Sequence, residues 1–507
     1  MMFRVLFLSK GHFMKNIVIT FRRFLMIAAP LVAFLIAFVP DLGSELSLSH
    51  SGRATIAIMI WMSLWWIFEV IPVAATALIP LVCFPLFHVM PLQDAASPYA
   101  NRLIFLFLGG FLIAICMQRW NLHKRFALLV LKWVGTNPSH LIAGFMGITA
   151  FLSMWVSNTA TVVMMLPIAS SIIKLVKEDE ACALSEENEK NFSLCLLLGL
   201  AYSASIGGLG TLIGTPPNAL LAAFLQQRYG YVISFSAWMQ FALPLVLLFI
   251  PAVWFVLTKI VFPLRIKNIS LGKEIIEREL VRLGKIRPQE IVIIVVFATC
   301  AFMWMFRPVL TTFFPALAGL DDAAIAIIAA LLLFLIPAGR GKRLLEWQDT
   351  HELPWNVLIL FGGGLSMAQA ISVSGVSEFI GHIAENFSQF PLIVLMVVIV
   401  AIVIALTEMA SNTATAAALL PIIASIAEGV GVSPLVLLVP AAVAASCAFM
   451  MPIATPPNAL VYSSGKVRVT QMIKAGMCVH PIGISLITLL SYFALAFLLG
   501  GDLTVMP

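Results

Sequence analysis

Two short polar patterns each occur twice in this chain, and they constrain its fold more than any other feature. The pattern SNTAT occurs at residues 157–161 and again at 411–415. The pattern TPPNAL occurs at residues 215–220 and again at 455–460. All four copies lie inside long apolar runs. The fold must therefore place hydroxyl, amide and proline groups at matching positions in two apolar halves.

The composition indicates the environment of these four polar segments, which we call the polar islands. The chain has 507 residues, of which 61% are hydrophobic and 11% are charged, and the mean hydropathy is +1.04. So little charge excludes a water-soluble enzyme of several domains and indicates a polytopic membrane protein in contact with membrane lipid. The net charge of +6 is explained by basic loops, so we expect no nucleic-acid partner. Seven scattered cysteines form no C-x-x-C pair and predict neither a disulfide nor a zinc site.

Apolar stretches and loop charges predict eleven crossings of the membrane. Placing the basic loops inside orients all the spans consistently, with the N-terminus cytoplasmic and the C-terminus external. The basic start of the chain precedes an apolar stretch without a cleavage site, which indicates a retained first span. The predicted spans are residues 24–40, 54–70, 72–88, 102–118, 192–228, 236–262, 288–306, 322–337, 353–375, 434–466 and 472–499.

Two further apolar stretches, residues 141–173 and 391–427, are predicted to be re-entrant hairpins. As one straight helix each would be about 50 Å long, which exceeds the roughly 30 Å of a bilayer core. Each SNT triplet falls near the middle, where a hairpin would have its tip. The charges that flank the first hairpin place both its ends inside, and those around the second place both ends outside. A single tilted, kinked span is the alternative for each.

The two halves are related by an internal repeat. The SNT copies are 411 − 157 = 254 residues apart, and LFLGG at Leu106 precedes LFGGG at Leu360 by the same distance. The TPPN copies are 455 − 215 = 240 residues apart, and the polar segment 174–190 accommodates the difference. Five crossings separate the hairpins, an odd number, so the halves are inverted. Inverted repeats with interrupted helices are a transporter architecture.

Each polar island should interrupt a helix and expose its backbone. Two prolines cannot continue a helix but are favoured at the start of one, so a half-helix should end near Gly214 or Ala454 and another begin at the prolines. Such a break leaves free carbonyls on one side and a positive helix N-terminus on the other. An SNT hairpin tip also leaves free carbonyls at the end of the first arm and a positive helix N-terminus at the start of the second arm. Four breaks that converge could hold small cations at carbonyl ends and an anion at helix N-termini.

The segments around the islands contain no Lys or Arg, namely residues 134–173, 193–227 and 344–465. An anion site built from them must offset the anion's charge with dipoles, amides and bound cations, which predicts coupling between the two ligands. A lone SNT would be interpreted as a helix cap or a packing contact. Duplication of both patterns favours a site instead.

With both signatures present twice, the chain resembles the divalent-anion/sodium symporter family, relatives of the "I'm not dead yet" dicarboxylate transporters, from about residue 24 to 499. The resemblance implies an all-α polytopic membrane protein with about eleven transmembrane helices and two re-entrant hairpins. It also implies a homodimer in which a mobile transport domain moves against a static scaffold domain as an elevator. The scaffold would comprise residues 24–133 and 288–375, the transport domain 134–262 and 376–499, and a cytoplasmic amphipathic linker 263–287.

The resemblance also implies site residues. At least two Na⁺ sites are expected, one in each half. The implied ligands are Ser153, Ser157, Asn158 and the backbone at Gly214 in the first site, and Thr407, Ser411, Asn412 and the backbone at Ala454 in the second. The substrate carboxylates would contact Asn158 and Thr159 on one side and Asn412 and Thr413 on the other. Thr215 and Pro456 would line the remaining walls of the substrate site.

The expected function is sodium-coupled import of C4-dicarboxylates such as succinate, malate and fumarate across the plasma membrane (the bacterial inner membrane). The alternative is a sodium-independent exchanger of dicarboxylate, citrate or sulfate with the same fold. The hydroxyls of Ser153 and Thr407 favour sodium coupling. Glu408 departs from the first half and is expected to be a structural partner, with a proton site or a neighbour of a third cation as alternatives. Glu69 is expected to cap a span end.

Two other classes of protein were considered. The eight histidines are dispersed and no H-E-x-x-H, G-x-S-x-G or nucleotide loop is present, so we do not expect an enzyme. Carbonyl-lined breaks are also compatible with an ion channel, which would not show saturation or counterflow.

Overall fold

The structure is a computed structural model of the chain. The residues that it describes are 20, 22–37, 48–133, 137–178, 185–265, 272–339, 341–498 and 503–504. The described residues are almost entirely helical, with one two-stranded antiparallel sheet of Pro337–Gly339 and Lys342–Arg343. The expected all-α class is confirmed.

The helices of the first half begin with residues 22–37 and then alternate between long and short elements. They continue as His50–Phe68, Val73–Thr76, Ile79–Leu86, Leu92–Ala96, Ser97–Ala100, Arg102–Arg119, Leu122–Trp133, Pro138–Ser153, Asn158–Glu178, Glu186–Gly208, Pro216–Tyr229 and Phe235–Phe255, the last followed by a π-helical turn at Val256–Val261. The predicted span 72–88 contains the helices Val73–Thr76 and Ile79–Leu86, which Ala77 and Leu78 join with near-helical backbone angles.

The second half repeats this succession after a connecting helix. The elements are Gly272–Leu283, Pro288–Phe313, Pro315–Leu317, Asp322–Leu335, Trp347–Glu352, Trp355–Val373, Val376–Ala384, Glu385–Phe387, Leu392–Thr407, Asn412–Val430, Pro434–Ala444, Pro456–Ser463 and Val469–Leu498. The connecting helix Gly272–Leu283 lies within the predicted amphipathic linker 263–287.

Both predicted hairpins are present as pairs of helices. Hairpin 1 consists of Pro138–Ser153 and Asn158–Glu178, and hairpin 2 consists of Leu392–Thr407 and Asn412–Val430. Their first arms have 16 residues each and start and end 254 positions apart. At 1.5 Å per residue such an arm is about 24 Å long, shorter than a bilayer core. The second arm of hairpin 2, with 19 residues, is longer than expected and long enough to cross.

Both TPPN segments interrupt helices as expected. Split helix 1 consists of Glu186–Gly208 and Pro216–Tyr229, and split helix 2 consists of Pro434–Ala444 and Pro456–Ser463. The second piece starts with two prolines in each, because proline suits the first helical turn, where its missing N–H costs nothing. The residue before them, Thr215 or Thr455, is extended.

Eight described helices are long and apolar enough to cross a membrane. Burial within the chain separates central helices from peripheral ones. In Glu186–Gly208, 94% of the apolar window is buried, whereas in Pro288–Phe313 only 22% is. Split helix 1 therefore lies at the centre of the molecule, and Pro288–Phe313 lies at its periphery.

The two halves pack across one another. The second piece of split helix 1 contacts the second arm of hairpin 2, and the second piece of split helix 2 contacts the second arm of hairpin 1. Each half thus covers the interrupted helix of the other, and all four interruptions belong to one packed group of elements.

Candidate functional site

The tip of hairpin 1 brings a serine, an asparagine and two backbone carbonyls together. Ser153, the last residue of the first arm, is fully buried, and its hydroxyl donates to the Ala204 carbonyl at 2.7 Å. The Ser153 oxygen also lies 2.6 Å from the side-chain amide of Asn158, which starts the second arm. Hairpin 1 is thereby joined to split helix 1 four residues before that helix ends.

One atom of the Asn158 amide occupies the centre of this cluster. In that position a nitrogen donates to Ser153 Oγ at 2.6 Å, to Ala204 O at 3.2 Å and to Gly214 O at 3.3 Å. With the amide oxygen there instead, four oxygen atoms face one another. The Ser153 hydroxyl then supplies the one proton among these four oxygens, and convergent oxygens of this kind are the ligand type that hard cations take in proteins. The cluster is thus satisfied either by the amide N–H₂ or by a cation.

Glycines at the two ends of the break allow this approach. A Cβ atom on Gly208 would lie 2.7 Å from Asn158 Oδ1 and 3.0 Å from the Gly214 oxygen. A Cβ atom on Gly214 would clash with the Gly208 backbone. The two backbone segments that flank the break are therefore in direct contact, and a larger residue at either position would push the carbonyls apart.

Hairpin 2 repeats the arrangement at the equivalent positions. Thr407 is fully buried and ends the first arm. Its hydroxyl lies 2.9 Å from Asn412 Oδ1 and 2.6 Å from the Ala445 carbonyl. Ala454, the predicted backbone ligand, is buried at the far end of the same break. The structure brings Thr407 and Asn412 together, and the carbonyl beside them belongs to Ala445.

The predicted ligands Ser157 and Ser411 have different local roles. The Ser157 hydroxyl accepts from the Ala160 N–H at 3.3 Å and so caps the second arm of hairpin 1. Ser411 has extended backbone angles at the equivalent position but makes no such side-chain cap. Its hydroxyl is therefore not used by the helix it precedes.

The asparagines of the two TPPN copies donate hydrogen bonds to backbone carbonyls at the interruptions of the split helices. Asn218 Nδ2 donates to the carbonyls of Gly208, Leu209 and Thr211, at 3.2, 3.2 and 2.8 Å. Asn458 Nδ2 donates to the carbonyls of Ala448 and Met451, both at 3.1 Å. Sequence reasoning noted the duplicated pattern but did not assign these asparagines to the site. Their duplication at the same offset was the signal that could have identified them.

The two breaks are in direct contact with each other. Thr215 Oγ1 lies 3.3 Å from Ser446 Oγ, which joins the break of split helix 1 to that of split helix 2. Tyr202 donates from its hydroxyl to the Phe449 carbonyl at 2.6 Å. The expected convergence of the split helices is confirmed by these contacts.

The Glu408 side chain binds the backbone of the loop that interrupts split helix 2. It is buried, and its carboxylate accepts from three consecutive backbone N–H groups, those of Phe449, Met450 and Met451, at 2.6, 2.9 and 2.9 Å. His480 Nε2 lies 2.9 Å from the same carboxylate. In the first half Met154 stands 254 positions earlier, and its carbonyl accepts from Thr211 Oγ1 at 2.5 Å. Glu408 therefore fixes the break loop of split helix 2, as expected of a structural partner.

The predicted substrate contacts fall into three groups by exposure. Thr215 and Thr413 are buried, whereas Asn158, Thr159 and Asn412 are partly exposed. Pro456 is exposed at the start of the second piece of split helix 2. Partial exposure of the two tip asparagines fits a binding surface better than a packed core.

A family model described as the transmembrane region of sodium:sulfate symporters matches residues 20–499. Two staphylococcal relatives carry the name sodium-dependent dicarboxylate transporter SdcS. The protein of Staphylococcus saprophyticus is 42% identical over 476 residues, which cover 93% of this chain and 91% of that protein. The protein of Staphylococcus aureus strain USA300 is 41% identical over 459 residues, which cover 90% and 88%.

Two solved structures share the fold. MtrF of Neisseria gonorrhoeae, described among antimetabolite efflux pumps, has a TM-score of 0.56 and 16% identity over 94% of each chain. The YdaH transporter of Alcanivorax borkumensis has a TM-score of 0.54 and 12% identity, over 89% of this chain and all of the other. Similarity at this level of identity concerns the architecture alone.

Proposed function

Because this chain belongs to the sodium:sulfate symporter family, we propose that it is a sodium-coupled secondary active symporter that imports C4-dicarboxylates across the plasma membrane. Succinate, malate and fumarate are the proposed substrates. The observation that carries the proposal is the pair of oxygen clusters around Ser153 and Asn158 and around Thr407 and Asn412. The names of the staphylococcal relatives support both the ion and the substrate class.

The two oxygen clusters are the proposed sodium sites. Each combines a buried hydroxyl, a tip asparagine and a carbonyl from the break of a split helix. Carbonyl, amide and hydroxyl oxygens are ligands for hard cations, and carbonyls at helix ends carry partial negative charge. The proposed ligands remain Ser153, Ser157, Asn158 and the backbone at Gly214, and Thr407, Ser411, Asn412 and the backbone at Ala454, with the Ala204 and Ala445 carbonyls added.

The dicarboxylate is proposed to bind between the tips. Four helices start at the interruptions, at Asn158, Pro216, Asn412 and Pro456, and each directs the positive end of its dipole toward the interruption. Asn158, Thr159, Thr215, Asn412, Thr413 and Pro456 are the proposed contacts. No Lys or Arg occurs in these segments. The bound dianion therefore depends on nearby sodium ions, and this dependence couples the two fluxes.

Transport is proposed to proceed by an elevator motion in a homodimer. The hairpins and split helices form the packed group that contains the polar clusters, so they are the elements that would have to move together. Residues 134–262 and 376–499 would form this transport domain, and residues 24–133 and 288–375 the scaffold. The proposed orientation places the N-terminus in the cytoplasm and the C-terminus outside.

Uptake of labelled succinate into proteoliposomes tests the function. We expect saturable uptake that requires an inward sodium gradient and is inhibited by unlabelled malate and fumarate more strongly than by sulfate or citrate. Asn158→Ala and Asn412→Ala should each abolish uptake while leaving the purified protein monodisperse, because each removes the amide at the centre of one cluster.

Other outcomes would assign a different function. Succinate exchange without dependence on sodium would identify an exchanger and overturn the coupling. Flux that does not saturate and shows no counterflow would identify a channel. Asn101, which only caps the helix Arg102–Arg119, provides a matched asparagine control, and Asn101→Ala should retain uptake.

A further inference from the structure

A cavity lies away from the proposed transport site, between the proposed scaffold segments. It has a volume of about 620 Å³ and is formed where Arg102–Arg119 ends, Pro288–Phe313 begins and the two-stranded sheet turns. Five basic side chains and one acidic side chain line it. The lining residues are Arg119, Trp120, Asn121, Arg125, Leu283, Arg287, Glu290, Ala338, Gly339, Lys342 and Arg343.

Two of the five cations are neutralised by carboxylates. Arg119 pairs with Asp349 and with Glu346, the latter at 2.9 Å. Arg125 pairs with Glu290 through Nε at 2.6 Å and Nη2 at 3.2 Å, and both side chains are largely buried. These pairs fix the wall of the cavity and leave little positive charge to offer to a ligand.

The other three cations are not matched in this way. Arg287, Lys342 and Arg343 are exposed, and none has an ion-pair partner in the part of the chain that the structure describes. Arg343 Nη1 donates to the Leu335 carbonyl at 2.5 Å, which holds its guanidinium near the rim. The positive N-terminus of the helix Pro288–Phe313 adjoins the same cavity at Arg287. The cavity therefore has an excess of positive charge.

The surroundings favour a position of this cavity at the surface of the membrane. Leu283, which lines it, ends the connecting helix Gly272–Leu283, and that helix contacts Leu122–Trp133. Trp120 lines the cavity and Trp347 nearby is 75% exposed, and tryptophans are enriched at membrane–water interfaces. The basic loops that form the cavity belong to the set that the charge rule assigns to the cytoplasm.

We propose that this cavity binds the phosphate group of an anionic phospholipid from the cytoplasmic leaflet. Basic pockets between membrane helices on that side suit such headgroups, since the leaflet carries negative lipids. The phosphate would be held by Arg287, Lys342 and Arg343, with the apolar face of Trp120 beside the glycerol. The lipid would connect the two scaffold segments at their cytoplasmic end. The choice of lipid over free phosphate rests on the proposed orientation.

Native mass spectrometry of the full-length protein in detergent tests the proposal with two short-chain lipids of equal chain length. Dioctanoyl phosphatidylglycerol should bind more tightly than dioctanoyl phosphatidylcholine. The double variant R287Q/K342Q should weaken phosphatidylglycerol binding by about tenfold or more, since each basic residue near the membrane contributes substantially to anionic-lipid affinity. The charge-preserving variant R287K/K342R should restore it.

K190Q/R265Q is the matched control. It removes two exposed positive charges that lie outside the cavity but on the same predicted cytoplasmic side of the membrane. It should change phosphatidylglycerol affinity by less than about twofold. Equal binding of the two lipids, an unchanged affinity in R287Q/K342Q, or an equal loss in the control would each overturn the proposal. Displacement of phosphatidylglycerol by millimolar inorganic phosphate would show that the cavity takes free phosphate, so the lipid source would be wrong. The readout is lipid binding, so it is independent of whether succinate is transported.

Discussion

Ser153 and Thr407 differ by one methyl group and make the same two contacts. Each hydroxyl lies within hydrogen-bonding distance of a tip asparagine and of a carbonyl in a split helix. The retained feature is the hydroxyl rather than the shape of the side chain. A hydroxyl can donate to a carbonyl when the cation is absent and ligate the cation when it is present.

The first prediction concerns this hydroxyl. Thr407→Val keeps the volume of the side chain but removes the oxygen, so we expect the sodium concentration for half-maximal succinate uptake to rise by roughly tenfold or more. Thr407→Ser keeps the oxygen and matches the first half, so its sodium dependence should stay near that of the wild type. Equal sodium dependence of the two variants would exclude Thr407 from the cation site.

The second prediction concerns Glu408 as a positioning residue. Glu408→Gln preserves size but turns an N–H₂ group toward backbone N–H groups, and an unsatisfied buried donor costs about 1–3 kcal/mol. We expect the break loop at Phe449–Met451 to shift, which lowers apparent sodium affinity while succinate affinity at saturating sodium changes little. Both are measured from uptake in proteoliposomes.

A loss of sodium affinity and succinate affinity in equal proportion, or a loss of folded protein alone, would contradict the assignment. Glu69→Gln is the control. Glu69 is half-exposed and lies 3.9 Å from Arg22, so its substitution should leave sodium dependence unchanged.

At the residue scale, sequence patterns located part of the site. The duplicated SNTAT pattern singled out Asn158 and Asn412, because side chains that recur at one offset are visible in a sequence, whereas Ser153 and Thr407 were implied by the resemblance to the symporter family. It could not identify the Ala204 and Ala445 carbonyls, since every residue has a carbonyl and only the three-dimensional approach of a helix selects one. The role of His480 depends on a partner 72 positions away (480 − 408), which no local pattern shows.

At the element scale, the connecting helix Gly272–Leu283 is held by charge pairs. Lys124 Nζ lies 2.9 Å from Glu279 Oε2, and Arg282 lies 2.8 Å from Glu279 Oε1. A second pair, Lys132 with Glu277, is longer at 3.8 Å and more exposed. The hydrogen bond from Lys124 lowers the pKa of the Glu279 carboxyl below its usual value, with Arg282 acting in the same direction against a partial burial that raises it.

This pair leads to a pH-dependent prediction. A carboxyl whose folded-state pKa is lowered stabilises the fold above its ordinary pKa, and this contribution is lost as pH falls through the folded-state value. At neutral pH, Glu279→Gln should therefore increase amide hydrogen exchange of residues 272–283. At a pH below the folded-state pKa, wild type and variant should exchange equally. Glu277→Gln should have the smaller effect, and a larger one would contradict the assignment of Glu279 as the main anchor.

At this scale, sequence patterns predicted helix breaks from prolines and re-entrant hairpins from the length of apolar stretches. Prolines at the TPPN copies imposed the breaks, and apolar length separated the hairpins from ordinary spans. The predicted span 72–88 is divided into Val73–Thr76 and Ile79–Leu86, with near-helical backbone angles at Ala77 and Leu78 between them. An apolar run does not show such a local interruption of helical hydrogen bonding.

At the scale of the whole molecule, the proposed inversion of the halves makes a testable difference between equivalent positions. His140 and Gln389 are exposed at the bases of hairpin 1 and hairpin 2. In a variant without the seven native cysteines, a membrane-impermeant maleimide applied to intact cells should label Gln389→Cys but not His140→Cys. Inside-out vesicles should give the reverse pattern.

Labelling of both positions from the same face would contradict the inverted arrangement and the elevator motion with it. The test needs no transport activity, so it separates the architecture from the proposed function. The repeat itself followed from the sequence, because the offset of 254 residues extends from single patterns to the arms of the hairpins.

The crossed packing of the two halves also has a consequence for biogenesis. The piece Pro216–Tyr229 is covered by Asn412–Val430, which leaves the ribosome much later. Synthesis at about 5–20 residues per second places roughly ten to forty seconds between the two. During that interval the helix Pro216–Tyr229 lies in a nascent chain without the helix that packs against it in the finished fold. The first half must therefore insert into the membrane before the second half can pack against its polar segments. A truncated chain that ends before hairpin 2 should be a substrate for membrane quality-control proteases.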